Sequence, residues 1–275
     1  MNRTSILVCR LAAATLAALP ATGTAAALQF VAAGGDPAAI QGTVDAFRAA
    51  LGANNGIGNS FASGRREINW DGVPLAFRDP LPPNFFNSNS PRGAVFATPG
   101  ERFVVSGDPG TPGFLFEDLT PYSSSDNFQF FSAPRLFAAV GSTVTDVQFF
   151  IPGTTTPASV RGFGAVFTDV ELADSASIQF FDPQGAALTQ LFAPSGANRG
   201  LSFAGVLFDA GERVARVRIT AGIGSFTTVD CRDCVVMDDF IYGEPQALRQ
   251  DVPEPGLAAL LGLGLLGLRA VRRRR

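Results

Sequence analysis

The stretch Ala215-Arg216-Val217-Arg218-Ile219 alternates apolar and charged side chains with a period of two residues. Successive side chains of a β-strand point to opposite faces, so this pattern is typical of a half-exposed antiparallel strand. Short apolar runs bounded by turn residues recur around it and predict further strands. At least eight short strands separated by turns favour an antiparallel β-sandwich. The predicted strands are residues 114–116, 127–131, 144–151, 160–170, 177–181, 201–208, 214–220 and 235–242.

One helix is predicted upstream of these strands, at residues 37–51. Asp36 is suited to cap its first turn, and Gly52 follows its last turn. The apolar side chains are spaced four, three and four residues apart, which places them on one face; they are Ile40, Val44, Phe47 and Leu51. Residues 59–112 are rich in Gly, Pro, Asn and Ser, so they are predicted to be ordered loops held by large apolar anchors such as Trp70 and Phe96.

The segment from Ser177 to Gly243 resembles the jelly-roll modules of bacterial exported and carbohydrate-binding proteins. The resemblance lies in Ile178-Gln179-Phe180-Phe181-Asp182-Pro183, in Phe203-Ala204-Gly205-Val206 and in Met237-Asp238-Asp239-Phe240-Ile241-Tyr242. It implies a fold rather than an activity. The predicted fold class is therefore mainly β: an antiparallel, jelly-roll-like sandwich with one N-terminal helix, flanked by a signal peptide and a C-terminal apolar helix.

The N-terminus has the pattern of a secretory signal peptide. Arg3 and Arg10 provide a basic start, residues 11–19 are apolar except for Thr15, and the small residues Ala25-Ala26-Ala27 follow. This apolar run is too short to span a bilayer and matches what the export machinery reads. We predict a signal peptide at residues 1–27 and a single sandwich domain at residues 28–250.

The C-terminus combines Val252-Pro253-Glu254-Pro255 with an apolar stretch at residues 256–268 and five arginines, Arg269 and 272–275. These three parts, in this order, closely resemble the PEP-CTERM sorting signal at residues 252–275. In that family the tail is processed by an exosortase in Gram-negative bacteria that make exopolysaccharide. The resemblance implies transient tethering to the inner membrane and then release to the cell surface or extracellular matrix. The 13 apolar residues are fewer than the roughly 20 of a stable span, which favours a transient anchor.

The composition excludes several kinds of chemistry. The chain has no histidine, and all 21 of its basic residues are arginine. Imidazole catalysis, histidine-ligated metals, lysine Schiff bases and phosphate loops that need lysine are therefore excluded. Residues 28–252 contain 14 arginines and 23 acidic residues, a formal charge of −9, which argues against nucleic acid as a partner. We expect a protein that is not an enzyme.

Glu67, Trp70 and Asp71 form the one local group in which an aromatic ring suitable for stacking on a sugar lies beside two carboxylates. They are the carbohydrate candidates and the only ones for a carboxylate glycosidase. The alternative is structural: Trp70 anchors the core, and the carboxylates pair with Arg65 and Arg66 to hold a loop.

Cys231 and Cys234 form the sequence Cys-Arg-Asp-Cys. Cys9 lies in the predicted signal peptide, so an exported chain carries two cysteines into an oxidising compartment, and a loop-closing disulfide is expected. Redox chemistry would require a helix N-terminus that lowers a thiol pKa, and zinc would require more than two ligands.

Asp238 and Asp239 are candidates for a structural calcium ion, together with Asp182, Asp230 and Asp233. Adjacent strand residues point to opposite faces, so only one of the pair is expected to face a given site. The alternative is a solvated acidic surface.

We therefore expect an exported structural protein of the surface or matrix that interacts with the export machinery and exosortase. An extracellular polysaccharide-binding module, with exopolysaccharide as its ligand, is the second hypothesis. The third is a carboxylate glycosidase.

Overall fold

A computed structural model describes residues 27–119 and 128–248 of the chain. Two α-helices lie within these ranges, α1 (Pro37–Leu51) and the short α2 (Phe85–Ser88), together with a 3₁₀ helix at Leu75–Phe77. The strands are β1 (Ala27–Gly34), β2 (Arg65–Ile68), β3 (Ala94–Ala97), β4 (Arg102–Val105), β5 (Phe137–Val140), β6 (Val144–Phe149), β7 (Ala158–Ser159), β8 (Gly162–Thr168), β9 (Ser177–Phe181), β10 (Ala187–Phe192), β11 (Leu201–Phe208), β12 (Arg216–Thr220), β13 (Val236–Gly243) and β14 (Gln246–Ala247).

Two antiparallel sheets pack face to face. The wide sheet has seven strands in the order β1-β11-β8-β13-β5-β4, and β2 also pairs with β13. The narrow sheet has five strands in the order β10-β9-β12-β6-β3, and β7 pairs with β14 apart from both. Side chains from both sheets share one apolar core, including Phe163 of β8 and Val217 of β12. The predicted antiparallel sandwich with a jelly-roll-like form is confirmed.

Strand β12 shows why the alternating stretch folds as predicted. Val217 and Ile219 are fully buried between the sheets. Arg216 and Arg218 lie on the outer face, and both bind the carboxylate of Asp146 on the neighbouring strand β6, at 3.0 and 2.7 Å. One face of the strand therefore contributes to the core, and the other forms a cross-strand ion-pair cluster.

Helix α1 has the predicted bounds and the predicted caps. The Asp36 carboxylate accepts a hydrogen bond from the backbone N–H of Ala39, and the N–H of Gly52 closes the other end. The helix lies on the outer face of the wide sheet, where Phe47 sits above Gly164 and Gly205, which are cross-strand partners in β8 and β11. A Cβ atom on Gly164 would lie 3.0 Å from the Phe47 ring, so this glycine allows the close approach.

Two of the predicted strands are wrong. Leu115 and Phe116 have positive φ angles of 46° and 63°, so the run at residues 114–116 forms turns instead of a strand. Residues 128–131 are irregular: the N–H of Gln129 donates to the hydroxyl of Thr168 and that of Phe131 to the carboxyl of Asp238, instead of to a neighbouring strand. The region 59–112, predicted as loops, also contains the short strands β2, β3 and β4.

The predicted signal peptide and sorting tail fall almost entirely outside the described residues. The structure describes the chain from Ala27, the last residue of the predicted signal peptide, and its second range ends at Leu248. Among the residues that it does describe, no helix has the length and apolar character needed to cross a membrane.

Candidate functional site

Trp70 lies in the core of the sandwich. Its ring stacks on that of Phe137 at a centroid distance of 4.1 Å and an interplanar angle of 4°, and it is only 1% exposed. The indole N–H donates a 2.7 Å hydrogen bond to the backbone carbonyl of Asp238. Trp70 has a φ of 66°, a conformation that is strained for a bulky residue and is held here by the surrounding packing. This placement leaves no ring face available to a sugar.

Glu67 belongs to a network that joins the helix to the sheet. Its carboxylate accepts from Arg65 at 2.5 Å and from Arg48 of α1 at 3.0 Å. The same guanidinium nitrogen of Arg48 lies 3.0 Å from an oxygen of Asp239. Glu67 therefore binds two arginines and, through Arg48, connects to Asp239.

Asp238 and Asp239 sit at a register shift in β13, where two residues face one residue of β8. This bulge breaks the strict alternation of side chains. The hydroxyl of Ser132 consequently contacts both carboxyls, Asp238 at 3.2 Å and Asp239 at 2.5 Å, and the N–H groups of Phe131 and Ser132 donate to Asp238. The expectation that only one of the pair could face a given site is wrong, and so is the alternative of a solvated acidic surface.

Burial is the main cause that raises the pKa of Asp238 well above its ordinary value, and the neighbouring charge of Asp239 acts in the same direction. Burial also raises the pKa of Asp239, while hydrogen bonds from Ser132 and Asp238 and the charge of Arg48 oppose the rise. Burial thus favours the protonated form of both carboxyls, and Ser132 contacts each of them. That arrangement stabilises the contact between β13 and the 131–132 segment.

The other candidate calcium ligands lie apart from this pair. Asp182 caps its own turn by accepting from the N–H groups of Gln184 and Ala186. Asp233 is buried and accepts from the backbone N–H groups of Glu171 and Leu172. Within residues 27–119 and 128–248, no three acidic or cysteine side chains group closely enough to hold a metal ion. Calcium at Asp238 or Asp239 stays a prediction.

Asp71 occupies a partly buried position beside Asn69, whose amide donates to it at 2.7 Å. Burial raises the pKa of Asp71 to about 7, and the charges of Asp239 and Asp108 act in the same direction, whereas the backbone N–H and charge of Arg135 oppose the rise. Asp71 and Glu67 thus belong to different hydrogen-bond networks.

A buried ion pair that sequence analysis missed joins Arg66 to Glu244. The guanidinium of Arg66 donates to both oxygens of Glu244, at 2.6 and 2.7 Å, and both side chains are almost completely buried. Asn55 and the backbone N–H of Phe61 also donate to Glu244. Through these contacts Glu244 connects the loop that follows α1 to the end of β13. The structural alternative paired the carboxylates of Glu67 and Asp71 with Arg65 and Arg66. Arg65 does bind Glu67, whereas Arg66 binds Glu244 instead of either carboxylate.

Cys231 and Cys234 form the expected disulfide. The bond closes a small loop immediately before β13, and the buried carboxylate of Asp233 within that loop binds the 171–172 segment. Backbone hydrogen bonds between Ile223 and residues 232–233 hold the loop as well, which fits a structural role.

A groove of about 740 Å³ opens beside Leu248, the last described residue. Its walls are formed by the turn at Gln184, by Arg213 and by Gln246. A smaller recess of about 200 Å³ adjoins it, lined by Arg161, by the same Arg213 and by Glu244, the carboxylate that binds Arg66. Arg213 donates to Ser159, and burial lowers the pKa of Arg213, with the nearby charge of Arg161 acting in the same direction. Neither arginine forms an ion pair with a carboxylate in the described part of the chain.

The C-terminus defines the class of this protein: it is exported and sorted through its tail. Residues 251–275 match the family model of the PEP-CTERM protein-sorting motif, which confirms the predicted sorting signal and implies recognition by an exosortase. The match covers Pro253, Glu254 and Pro255 together with the apolar stretch and the terminal arginines. No curated protein and no solved structure gives a significant match to the chain.

Proposed function

We propose that this protein is a structural component of the cell surface or extracellular matrix, delivered there by its C-terminal signal. The observation that carries the proposal is the match of residues 251–275 to the sorting motif. Anchoring through such a tail leaves the domain on the outer side of the membrane, because the terminal arginines stay with the cytoplasmic leaflet.

The internal arrangement of the domain supports a structural role. The residues that could have formed a sugar-stacking or carboxylate site serve the fold instead: Trp70 fills the core, and Glu67 links the helix to the sheet through Arg48. Glu67 and Asp71 enter different networks, so no glycosidase is proposed. The loops are cross-linked by the Arg66–Glu244 pair and the disulfide. Such cross-links favour a domain that persists outside the cell.

The proposed role is tested by removing the chain from the producing bacterium and restoring it. We expect the matrix of cells without the protein to disperse at lower shear, and the wild-type chain to restore its cohesion. A chain with Pro253→Ala and Glu254→Ala should be made in equal amount without restoring it, because it is not sorted. Unchanged cohesion in cells without the chain would contradict the structural role.

The arginine groove favours a second candidate, binding of an anionic polysaccharide. Among the described residues Arg161 and Arg213 form no ion pair with a carboxylate and donate instead to Ala50 and Ser159, and Gln184 and Gln246 add amide groups suited to hydroxyls. Carboxylated sugar residues are the ligand that this set of donors would recognise. The candidate site is therefore this groove and not the region of Trp70.

Calorimetry of the exported chain with polygalacturonate, with and without calcium, tests this second candidate, and neutral dextran serves as the comparison ligand. We expect saturable binding to polygalacturonate and none to dextran. Arg213→Gln should weaken the binding at least about tenfold, since charge-assisted hydrogen bonds contribute roughly 1.5–3 kcal/mol. Arg232→Gln, at an exposed arginine outside the groove, is the matched control. Equal binding by both variants would exclude the groove, and binding only with calcium would support the predicted ion.

A further inference from the structure

Strand β1 forms one edge of the wide sheet. All eight of its residues pair with β11 in an unbroken antiparallel register, from Ala27 opposite Phe208 to Gly34 opposite Leu201. Within the described residues no strand pairs with its other side. Every second residue of β1 therefore directs its backbone N–H and C=O groups outward, away from β11.

This edge lacks the features that usually protect an open strand. Natural edge strands are short, bulged, or carry charges or proline, since an open edge is a template for pairing with another chain. Strand β1 is Ala-Leu-Gln-Phe-Val-Ala-Ala-Gly, with no charged side chain, no proline and no bulge. Its exposed residues include Leu28 and Val31, which are 44% and 47% accessible.

One face of β1 also extends beyond the narrow sheet. Phe30 and Ala32 pack against the apolar cluster beneath α1, so they occupy the helix-side face of the strand. Gln29, Val31 and Ala33 alternate with them and are all exposed. The narrow sheet therefore does not cover the inner face of β1 at these positions.

We propose that β1 pairs with β1 of a second copy of this chain, antiparallel and centred on Val31. A twofold axis through Val31 places Leu28 opposite Gly34 of the second copy. All residues of β1 that remain after the predicted cleavage behind Ala27 then take part in the pairing. Residues that face each other then lie on the same side of the combined sheet, as antiparallel pairing requires.

The chemistry of the strand favours a second copy over a charged partner. A twofold axis brings identical side chains together, and an uncharged strand places no like charges at that contact. The domains themselves repel, because residues 28–252 carry a formal charge of −9. Added salt screens this repulsion, so the dimer becomes tighter as ionic strength rises. This pairing depends on the folded domain and not on the proposed matrix role.

Sedimentation equilibrium of the chain exported by its producer tests the proposal. We expect a reversible dimer whose dissociation constant falls when salt is raised from about 0.01 to 0.15 M, a range in which the screening length shortens from roughly 30 to 8 Å. Val31→Lys should raise that constant at least about tenfold, since it places two ammonium groups beside the axis. Leu75→Lys, at a residue that is 60% exposed elsewhere, should leave it unchanged. A wild-type chain that stays monomeric, or equal dissociation of both variants, would overturn the proposal.

A second variant, Val31→Cys, tests the pairing independently of whether Val31→Lys folds. In Val31→Cys the two thiols of a dimer face each other at a Cβ separation of about 4.5–5.5 Å, within reach of a short bismaleimide that joins two thiols. We expect a covalent dimer from Val31→Cys and none from Leu75→Cys under the same conditions. Failure of Val31→Cys to cross-link while its circular dichroism matches the wild type would also overturn the pairing.

Discussion

Replacing Trp70 with alanine should destabilise the domain without acting through any ligand. The ring stacks on Phe137 and its N–H binds the carbonyl of Asp238, so the change leaves a cavity and an unpaired buried carbonyl. Truncating a buried aromatic side chain to alanine costs roughly 3–5 kcal/mol. In a domain of this size that corresponds to a fall in Tm of roughly 6–20 °C. Trp70→Phe keeps much of the packing and loses the hydrogen bond, so we expect about 1–3 kcal/mol.

Urea unfolding followed by circular dichroism measures these losses in both variants and in the wild type. The chain has one tryptophan, so wild-type fluorescence reports on this residue alone; we expect blue-shifted emission that acrylamide quenches poorly until the protein unfolds. Leu75→Ala, at an exposed leucine, is the control and should shift the midpoint little. A Trp70→Ala protein as stable as the wild type, or wild-type emission that is readily quenched when folded, would refute the core position.

Three further predictions concern other buried groups. The pKa of Asp71 is raised to about 7, so between about pH 4 and 7 the folded state holds a proton that the unfolded state has lost. The stability that depends on this proton is complete below about pH 4 and is lost as the pH rises through 7. Asp71→Asn should therefore raise Tm at pH 8 and change it little at pH 4.5. Arg66→Met should cost about 3–5 kcal/mol in urea unfolding because it leaves Glu244 buried without its cation, and Glu244→Leu in the same chain should recover most of that loss. Reducing the Cys231–Cys234 disulfide should cost only about 2 kcal/mol, since the closed loop is short, and an unchanged unfolding midpoint in reductant would contradict this.

The parts of the fold that depend on local chemistry could be predicted from the sequence. The Asp36 cap, the spacing of apolar residues and Gly52 fixed the bounds of α1 within the chain. The runs at residues 177–181 and 201–208 coincide with β9 and β11 because turn residues bound them closely. Strand β11 is buried on both faces, against the narrow sheet and against the helix, which is why its sequence is apolar almost throughout.

The parts that depend on distant contacts could not be predicted in this way. Arg66 and Glu244 are 178 residues apart, and nothing in the local sequence indicates that they meet. The bulge that turns Asp238 and Asp239 toward the same hydroxyl depends on pairing with β8. No strand is predicted for residues 28–34, although they belong to the predicted domain, because apolar and polar side chains do not alternate along β1.

The same distinction between local sequence and distant contacts applies to the candidate site. Paired carboxylates next to a tryptophan are a reasonable signature of a sugar site, but one sequence does not show which side chains are buried. Trp70 enters the core, whereas the groove is built from Arg161, Arg213 and the C-terminal strand, which are far apart in the sequence. The sequence signal that could have indicated this groove is that no acidic residue lies two positions before or after Arg161 or Arg213.

The central claim, that the C-terminal signal delivers this domain to the exterior, is tested most directly by the intact mass of the chain outside the producing cells. We expect a mass lacking both the signal peptide and the residues that follow the Pro253-Glu254-Pro255 motif. With Pro253→Ala and Glu254→Ala, the full tail should remain and the chain should stay in the membrane fraction. An exported wild-type chain that keeps all of residues 256–275, or a variant released and processed like the wild type, would contradict the account.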